Sequence, residues 1–144
     1  MKDWQSQAHV KWECKYHIVI VPKYRKKVMY KNLRYEVGKI MQQLCRQKGV
    51  ELLEGHAMSD HIHLLLSVPP KYSIAMTIGY LKGKSAIRLN RDFQRVKGIL
   101  FVRCFWSRGY CVSTVGFDEA SIRKYIEEQE QYEKDEGQGK LMFD

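Results

Sequence analysis

The stretch that decides the fold is SDHIHLLLSV, residues 59–68. Side chains two residues apart along a β-strand point to the same face of the sheet. One face therefore carries the apolar side chains of Ile62, Leu64, Leu66 and Val68. The opposite face carries His61 and His63. This alternation predicts a sheet with a hydrophobic core on one side and a candidate site on the other.

The segments around this strand predict an α+β sandwich with the order β-α-β-β-α-β-α. In the first half of the chain, the predicted elements are a strand over 12–21, a helix that ends at Gly49, a strand over 50–58 and the quoted strand. In the second half they are a helix from the cap Ser73 to about Arg91, a strand over 101–116 with a break expected around 107–109, and a helix after the cap Asp118. The first six elements match the ferredoxin-like, RRM-like antiparallel sheet. The third helix is an addition to that fold, and it carries Tyr125.

Length and composition are typical of one domain. The 144 residues suit a single domain over 1–144, with a catalytic core at about 10–133 and an acidic tail at about 134–144. No apolar run approaches the ~20 residues that cross a membrane, and the first residues lack a signal-peptide core, so a cytoplasmic protein is expected. The four cysteines show no CxxC spacing, which argues against a zinc finger.

The net charge of +9 is unevenly distributed along the chain. Residues 1–70 carry +6, residues 71–108 carry +8, and residues 109–144 carry −5. A basic middle segment of this kind favours a polyanionic partner, with nucleic acid first. A solvated basic helix without a ligand is the alternative, and charge alone does not choose between them.

The histidine pair and the third helix together suggest a metal-dependent site. Two imidazoles on one strand face can bind one divalent ion, although an isolated HxH is more often a pair of solvated histidines. A site needs a third ligand and a reactive group. Tyr125 and Gln129 are four residues apart and share one helix face, where they offer a hydroxyl nucleophile and an amide oxygen. On the helix alone, Tyr125 is better explained as an amphipathic packing residue with its hydroxyl at the rim.

Four motifs in this order give the chain a family resemblance. They are DHIHLLL (60–66), LKGKSA (81–86), FWSRGYCVSTVG (105–116) and YIEEQ (125–129). Together they resemble the single-tyrosine HUH transposases of the insertion-sequence 200/605 family. The resemblance extends from the first strand to the third helix.

The resemblance implies a role for each matching residue. His61 and His63 correspond to the metal-binding histidines of the HUH motif, Tyr125 to the nucleophile and Gln129 to the third metal ligand. It further implies Mg²⁺ or Mn²⁺ as cofactor and single-stranded DNA with hairpin ends as substrate. The family forms homodimers in which the helix can deliver its tyrosine to the partner's histidines. The expected reaction is DNA cleavage and rejoining through a 5′-phosphotyrosine link.

The basic segment supplies the candidate DNA contacts. Those expected to bind phosphates or bases are Lys82, Lys84, Arg88, Arg91, Arg95, Lys97, Trp106 and Arg108, and Tyr72 and Tyr110 are further candidates for base stacking. Trp106 is equally compatible with a place in the core.

Three other functions fit parts of the pattern. An RRM-like module would bind nucleic acid without catalysis, although the strand of 59–68 has histidines and leucines where RRM aromatics belong. A zinc hydrolase would use His61 and His63 with Cys104 or His56, and it would leave Tyr125 unexplained. An HUH endonuclease associated with repetitive palindromes is the third; the short chain favours the insertion-sequence branch instead.

Overall fold

A computed structural model describes residues 5–7, 10–23, 31–92, 105–114 and 118–143. The elements in chain order are β1 (Gln5–Gln7), β2 (Val10–Trp12), β3 (Lys15–Ile20), α1 (Lys31–Lys48), β4 (Glu51–Ala57), β5 (Ile62–Ser67), α2 (Ile74–Asp92), β6 (Cys111–Ser113) and α3 (Glu119–Phe143). Arg95, Lys97 and Cys104 lie outside the described residues.

Four strands form one sheet in the order β4-β5-β3-β6, and every neighbouring pair is antiparallel. The two central strands, β5 and β3, pair over six residues, from Lys15 opposite Ser67 to Ile20 opposite Ile62. With α1 between β3 and β4, and α2 between β5 and β6, this is the ferredoxin-like arrangement expected from the sequence. The predicted α+β sandwich is confirmed.

The N-terminal hairpin differs from the sequence prediction. A single strand was expected from Trp12, but Trp12 ends β2 and pairs with Gln5 of β1 in a separate two-stranded sheet. The strand of the main sheet starts only at Lys15. Strand-forming residues run almost continuously through this region, so the local pattern cannot reveal where the pairing partner changes.

The core lies between the sheet and the helices α1 and α2. It contains Ile18 and Ile20 of β3, the predicted apolar face of β5, and the inward stripes of both helices. The apolar side chains that recur at helical spacing in α1 are all buried: Leu33, Val37, Ile40, Met41 and Leu44. In α2, Ile78, Leu81, Ser85 and Leu89 are buried and Ile74 is partly buried, as the helical spacing predicts.

The opposite face of the sheet is covered by α3. Val19 and Val21 form a second, smaller buried cluster with Ile126 of the helix. Ile122 and Tyr125 pack against this cluster. The helix that the sequence left without a place therefore lies on the histidine side of the sheet, which brings the tyrosine to the same face as the candidate ligands.

The helix boundaries follow the predicted capping signals. Gly49 adopts a φ of 79° directly after α1, a left-handed conformation that favours glycine. The Ser73 hydroxyl accepts the Met76 N–H at 3.0 Å, and the Asp118 carboxylate accepts the Ser121 N–H at 2.7 Å. Of the helices described, none is long and apolar enough to cross a membrane.

The predicted fourth strand is shorter than expected. Within the described part of 101–116, the ladder is limited to Cys111–Ser113, and Trp106 makes an isolated bridge with Pro22. Between them Gly109 has a φ of 81°, which turns the chain away from the ladder. The expected break around 107–109 is confirmed.

Candidate active site

The two histidines are held at the end of a tight hairpin. β4 and β5 are joined by a turn at 59–60, which the hydrogen bond from the Met58 N–H to the His61 carbonyl closes at 2.8 Å. His61 directly precedes β5, and His63 is its second residue. Their ring centroids are 5.0 Å apart with the planes tilted by 58°. The predicted same-face placement of the pair is therefore present in the structure.

The surroundings keep His63 in its neutral form. Burial lowers the pKa of His63, and the neighbouring imidazoles of His61, His56 and His17 lower it further. The cross-strand partner of His63 on β4 is His56. A neutral imidazole has a lone pair available for a metal ion, so the cluster favours the ligand form of His63 over the protonated form.

His61 has a carboxylate partner beside it. The Asp60 Oδ1 lies 2.8 Å from the His61 Nδ1. The side chains of the two residues are 21% and 13% exposed, so the pair is largely shielded from water. A carboxylate at one ring nitrogen directs the other nitrogen outward as a ligand.

The spacing of the two rings fits one divalent ion. Two imidazoles that bind an ion through nitrogens at about 2.1 Å place their centroids roughly 4.5–5 Å apart, and the observed separation is 5.0 Å. Among the described residues, however, no group of three or more His, Cys, Asp or Glu side chains is arranged to hold a metal. A third ligand of another type is needed, and the amide of Gln129 is the predicted one.

A cleft of about 680 Å³ separates the histidines from the start of α3. The sheet side contributes His56, Met58, Asp60, His61 and His63, and the helix side contributes Glu119, Ile122, Arg123, Ile126 and Glu127. Tyr125 and Gln129 are not among the lining residues. Within one protomer, the helix face turned towards the histidines is therefore not the face that carries the predicted nucleophile.

Tyr125 packs against the small apolar cluster of Val19, Val21 and Ile126. Its hydroxyl is buried, and no described residue forms a hydrogen bond with it. The pKa of Tyr125 is raised to about 12, mainly by burial and to a smaller extent by Cys111 and Glu133. The phenol is therefore held in its protonated, unreactive form in this position.

The sheet register explains why the site is divided. Val19 of β3 lies opposite His63 on one side and opposite Cys111 on the other, so the three side chains share a face across neighbouring strands spaced ~4.8 Å apart. Ile126 packs onto Val19. Tyr125 lies close enough to Cys111 for that thiol to affect its pKa, whereas Tyr125 does not line the cleft at His63. His63 and Cys111 are thus two strand spacings apart, roughly 10 Å.

Gln129 is engaged with the loop before β6. Its Nε2 donates to the Arg108 carbonyl at 2.9 Å. The same loop is also bound to α2. The Lys82 ammonium donates to the carbonyls of Ser107 at 2.6 Å and Gly109 at 2.8 Å. Residues 107–109 therefore connect α2 to α3 through backbone carbonyls.

The predicted DNA contacts have different environments. Trp106 is buried, and its indole N–H donates to the Ser85 hydroxyl at 2.9 Å, so it is a core residue here and presents no face to a base. The Lys82 ammonium is bound to the loop carbonyls described above. Arg88 donates to the Gln43 side chain at 2.9 Å. Lys84, Arg91 and Arg108 are exposed on the surface.

Sequence reasoning overlooked two features of this region. Asp60 received no role in the site from the sequence, although a carboxylate directly before an HxH motif is a readable signal for a histidine partner. A second feature is a group of cations over aromatic rings, in which the Lys48 ammonium lies 4.9 Å from the ring centroids of both Tyr72 and Tyr80. These residues come from different elements, so no local pattern could have grouped them.

Comparison with known proteins identifies the class. Residues 10–129 match the protein family described as transposase IS200 like. The chain is 47% identical over 134 residues to the transposase of insertion sequence element IS200 from Salmonella typhimurium, covering 93% of this chain and 88% of that protein. It is 34% identical over 119 residues to the ISDra2 transposase TnpA of Deinococcus radiodurans, covering 82% and 85% of the two chains.

Solved structures agree on the fold. A crystal structure from Deinococcus radiodurans R1, described as a transposase, aligns with a TM-score of 0.75 and 30% identity over 87% of this chain and 96% of that one. A REP-associated tyrosine transposase bound to a REP hairpin aligns with a TM-score of 0.53 over 85% and 68% of the two chains. At 8% identity, the second likeness concerns the fold alone.

The protein is thus a DNA transposase, an enzyme that cleaves and rejoins DNA. More particularly, the chain belongs to the IS200-like transposase family, whose members are generally metal-dependent. The predicted resemblance is confirmed, and the alternative of a non-catalytic RRM-like module is set aside. The zinc hydrolase alternative is set aside with it.

Proposed function

We propose that the chain cleaves and rejoins single-stranded DNA at the ends of an insertion sequence, with Tyr125 as the nucleophile and His61, His63 and Gln129 as ligands of Mg²⁺ or Mn²⁺. The observation that carries the proposal is the adjacent pair of His61 and His63, with centroids 5.0 Å apart, in a cleft beneath the helix that bears Tyr125. Membership in a transposase family supports this reading of the pair.

In the proposed reaction, the Tyr125 oxygen attacks a phosphodiester, loses its proton, and forms a bond to phosphorus while the bond to the 3′ oxygen breaks. The products are a 5′-phosphotyrosine link and a free 3′-OH. A second 3′-OH can attack the same phosphorus and release the tyrosine, so strands are rejoined without a nucleotide cofactor. A bound divalent ion would neutralise charge that develops on the phosphate.

The ligand set suits such an ion. Imidazole and amide donors are neutral, so they leave the full charge of the ion for the substrate. Imidazole is a poor ligand for Mg²⁺ and a better one for Mn²⁺, and we therefore expect Mn²⁺ to bind more tightly in vitro.

Assembly of the site requires a change in the position of α3. In one protomer the cleft is lined by Glu119, Arg123 and Glu127, whereas the Tyr125 hydroxyl is buried away from it. We propose that the active unit is a homodimer in which α3 of one copy brings Tyr125 to His61 and His63 of the other. The division of the site in the single protomer supports this arrangement.

The proposed substrate is single-stranded DNA that folds into hairpins near the element ends. The exposed basic side chains of Lys84, Arg91 and Arg108 would bind phosphates, together with Arg95 and Lys97. The hairpin bound in the structure of the REP-associated transposase is an observation on that protein, and it makes a hairpin a reasonable first substrate to test.

The decisive experiment detects the covalent intermediate. Protein is incubated with Mn²⁺ and 3′-labelled single strands that span the ends of the element, because a 5′-phosphotyrosine link retains the labelled fragment, and adducts are separated on denaturing gels. We expect an adduct with single strands, little with the duplex, and none with EDTA or with His63→Ala. Tyr125→Phe should abolish the adduct, whereas Tyr132→Phe, an exposed tyrosine on the same helix, should retain it. An adduct formed by Tyr125→Phe would refute the assignment.

A further inference from the structure

The Asp60 carboxylate occupies a fixed position beside the proposed ion. It lies in the two-residue turn that joins β4 and β5, where the backbone hydrogen bond between Met58 and His61 closes the hairpin at 2.8 Å. Its Oδ1 lies 2.8 Å from the Nδ1 of His61. Both side chains are mostly shielded from solvent, and both line the cleft. The contact is therefore built by the turn, and it does not depend on a flexible side chain reaching across the surface.

This contact determines which nitrogen of His61 can bind a metal. An ionised carboxylate only accepts hydrogen bonds, so the ring nitrogen that faces it must carry the proton. In a neutral imidazole the other nitrogen then holds the lone pair. With Nδ1–H directed at Asp60, the Nε2 atom of His61 is the one available as a ligand, and rotation of the ring is restricted.

We propose that Asp60 is a positioning residue of the transposase site: it fixes the Nδ1–H tautomer and the ring orientation of His61, so that Nε2 is presented to the divalent ion. The inference rests on the proposed metal site and adds a residue to it. In metalloproteins such carboxylate partners of a ligating histidine commonly account for about 10–100-fold in metal affinity, and we expect an effect of that size here.

The chain contains a matched control for this role. On the exposed strand β4, the Glu54 Oε1 lies 2.7 Å from the His56 Nε2. The chemistry of the pair is the same, but its side chains are 59% and 63% exposed, and His56 is not a proposed ligand. Loss of the Glu54 carboxylate should therefore leave metal affinity unchanged.

The test measures tautomer and affinity separately. Long-range ¹H–¹⁵N NMR spectra of the full chain without metal report the protonated nitrogen of His61, and calorimetry or Mn²⁺ electron paramagnetic resonance reports binding. We expect the Nδ1–H form in the wild type. Asp60→Ala should lose this preference and bind Mn²⁺ about 10–100-fold more weakly. Asp60→Asn retains an acceptor oxygen and should restore the tautomer and part of the affinity, while Glu54→Gln should match the wild type.

Two results would overturn the inference. One is a wild-type His61 protonated at Nε2, and the other is an Asp60→Ala variant that folds, by circular dichroism, and binds Mn²⁺ as the wild type does. Because Asp60→Asn keeps the shape of the side chain and an acceptor oxygen, a loss of affinity shared equally by both variants would show that the charge of Asp60 is needed and would count against positioning through the tautomer. Wild-type protein that fails to bind Mn²⁺ would overturn the metal site and the inference together. An adduct that persists in Tyr125→Phe would instead overturn only the nucleophile.

Discussion

At the scale of single residues, Tyr125 combines a proposed catalytic role with an unfavourable position. Its hydroxyl is buried without a hydrogen-bond partner among the described residues, and burial raises its pKa to about 12. A buried polar group that lacks a partner costs free energy in the folded state. A residue kept at such a cost is consistent with selection for function over stability.

This position predicts that the inactivating variant is more stable than the wild type. Tyr125→Phe removes the unpaired hydroxyl and keeps the ring in its apolar cluster, so the free energy of unfolding should rise by roughly 1 kcal/mol. Urea denaturation followed by circular dichroism measures the change. The exposed Tyr132→Phe control should stay within about 0.5 kcal/mol of the wild type. A clear loss of stability in Tyr125→Phe would mean that the hydroxyl has a hydrogen-bond partner.

The same substitution predicts a difference at alkaline pH. The pKa of Tyr125 in the folded state, about 12, lies above its ordinary value of 10.0. Between these two pKa values the unfolded chain releases the Tyr125 proton more readily than the folded protein does. The wild type therefore loses stability as the pH rises from about 10 to about 12. The advantage of Tyr125→Phe should therefore grow as pH rises above about 10, and an advantage independent of pH would contradict the raised pKa.

At the scale of elements, the loop at 107–109 forms hydrogen bonds with both α2 and α3. The Lys82 ammonium of α2 binds the carbonyls on either side of Arg108, and the Arg108 carbonyl accepts from Gln129 of α3. Lys82 was predicted as a phosphate contact. In the structure its ammonium satisfies backbone acceptors instead, which favours a structural role.

Two neighbouring lysines of α2 allow this role to be tested. Lys82→Met should lower the free energy of unfolding by about 1–2 kcal/mol, because two carbonyls lose a charged donor. Lys84→Met changes an exposed side chain and should stay within about 0.5 kcal/mol of the wild type, while it should reduce the slope of DNA affinity against salt by about one. Urea denaturation and salt-dependent binding measure the two effects. Equal stability of the two variants would argue against the structural role of Lys82.

At the scale of the whole molecule, the histidines line a cleft that Tyr125 of α3 does not line. The packing of Ile126 onto Val19 fixes the rotation of the helix, and that rotation turns Glu119, Arg123 and Glu127 towards the cleft. In the proposed homodimer, a second copy related by twofold symmetry would complete a site that is divided in this way within one chain.

Mixing two inactive variants tests whether protomers share their sites. His63→Ala and Tyr125→Phe chains are refolded together, and one is enlarged by a tag so that adducts are told apart by size. If sites are shared, random pairing leaves about a quarter of the sites intact, and every adduct forms on the His63→Ala chain, which supplies Tyr125. If each protomer uses its own residues, no pairing restores a site. An inactive mixture, with dimers demonstrated, would therefore contradict the shared arrangement.

The sequence by itself determined the sheet and its core face, and it supplied the residues that are proposed to carry the chemistry. Alternation in residues 59–68 and helical spacing in α1 and α2 are local signals, because side-chain direction follows from the backbone period. The caps at Gly49, Ser73 and Asp118 are local as well. The family of the chain could be predicted for the same reason, since its motifs are short stretches at characteristic separations.

Only the tertiary structure decided how these residues meet. The place and rotation of α3, the burial of Tyr125, the core position of Trp106 and the attachment of Lys82 to the loop at 107–109 all depend on contacts between residues far apart in the chain. An amphipathic pattern indicates that a face is buried, but it does not specify the partner. Strand register and helix packing determine that partner. In one protomer they separate the histidines from the tyrosine, although the sequence predicted that these residues form one site.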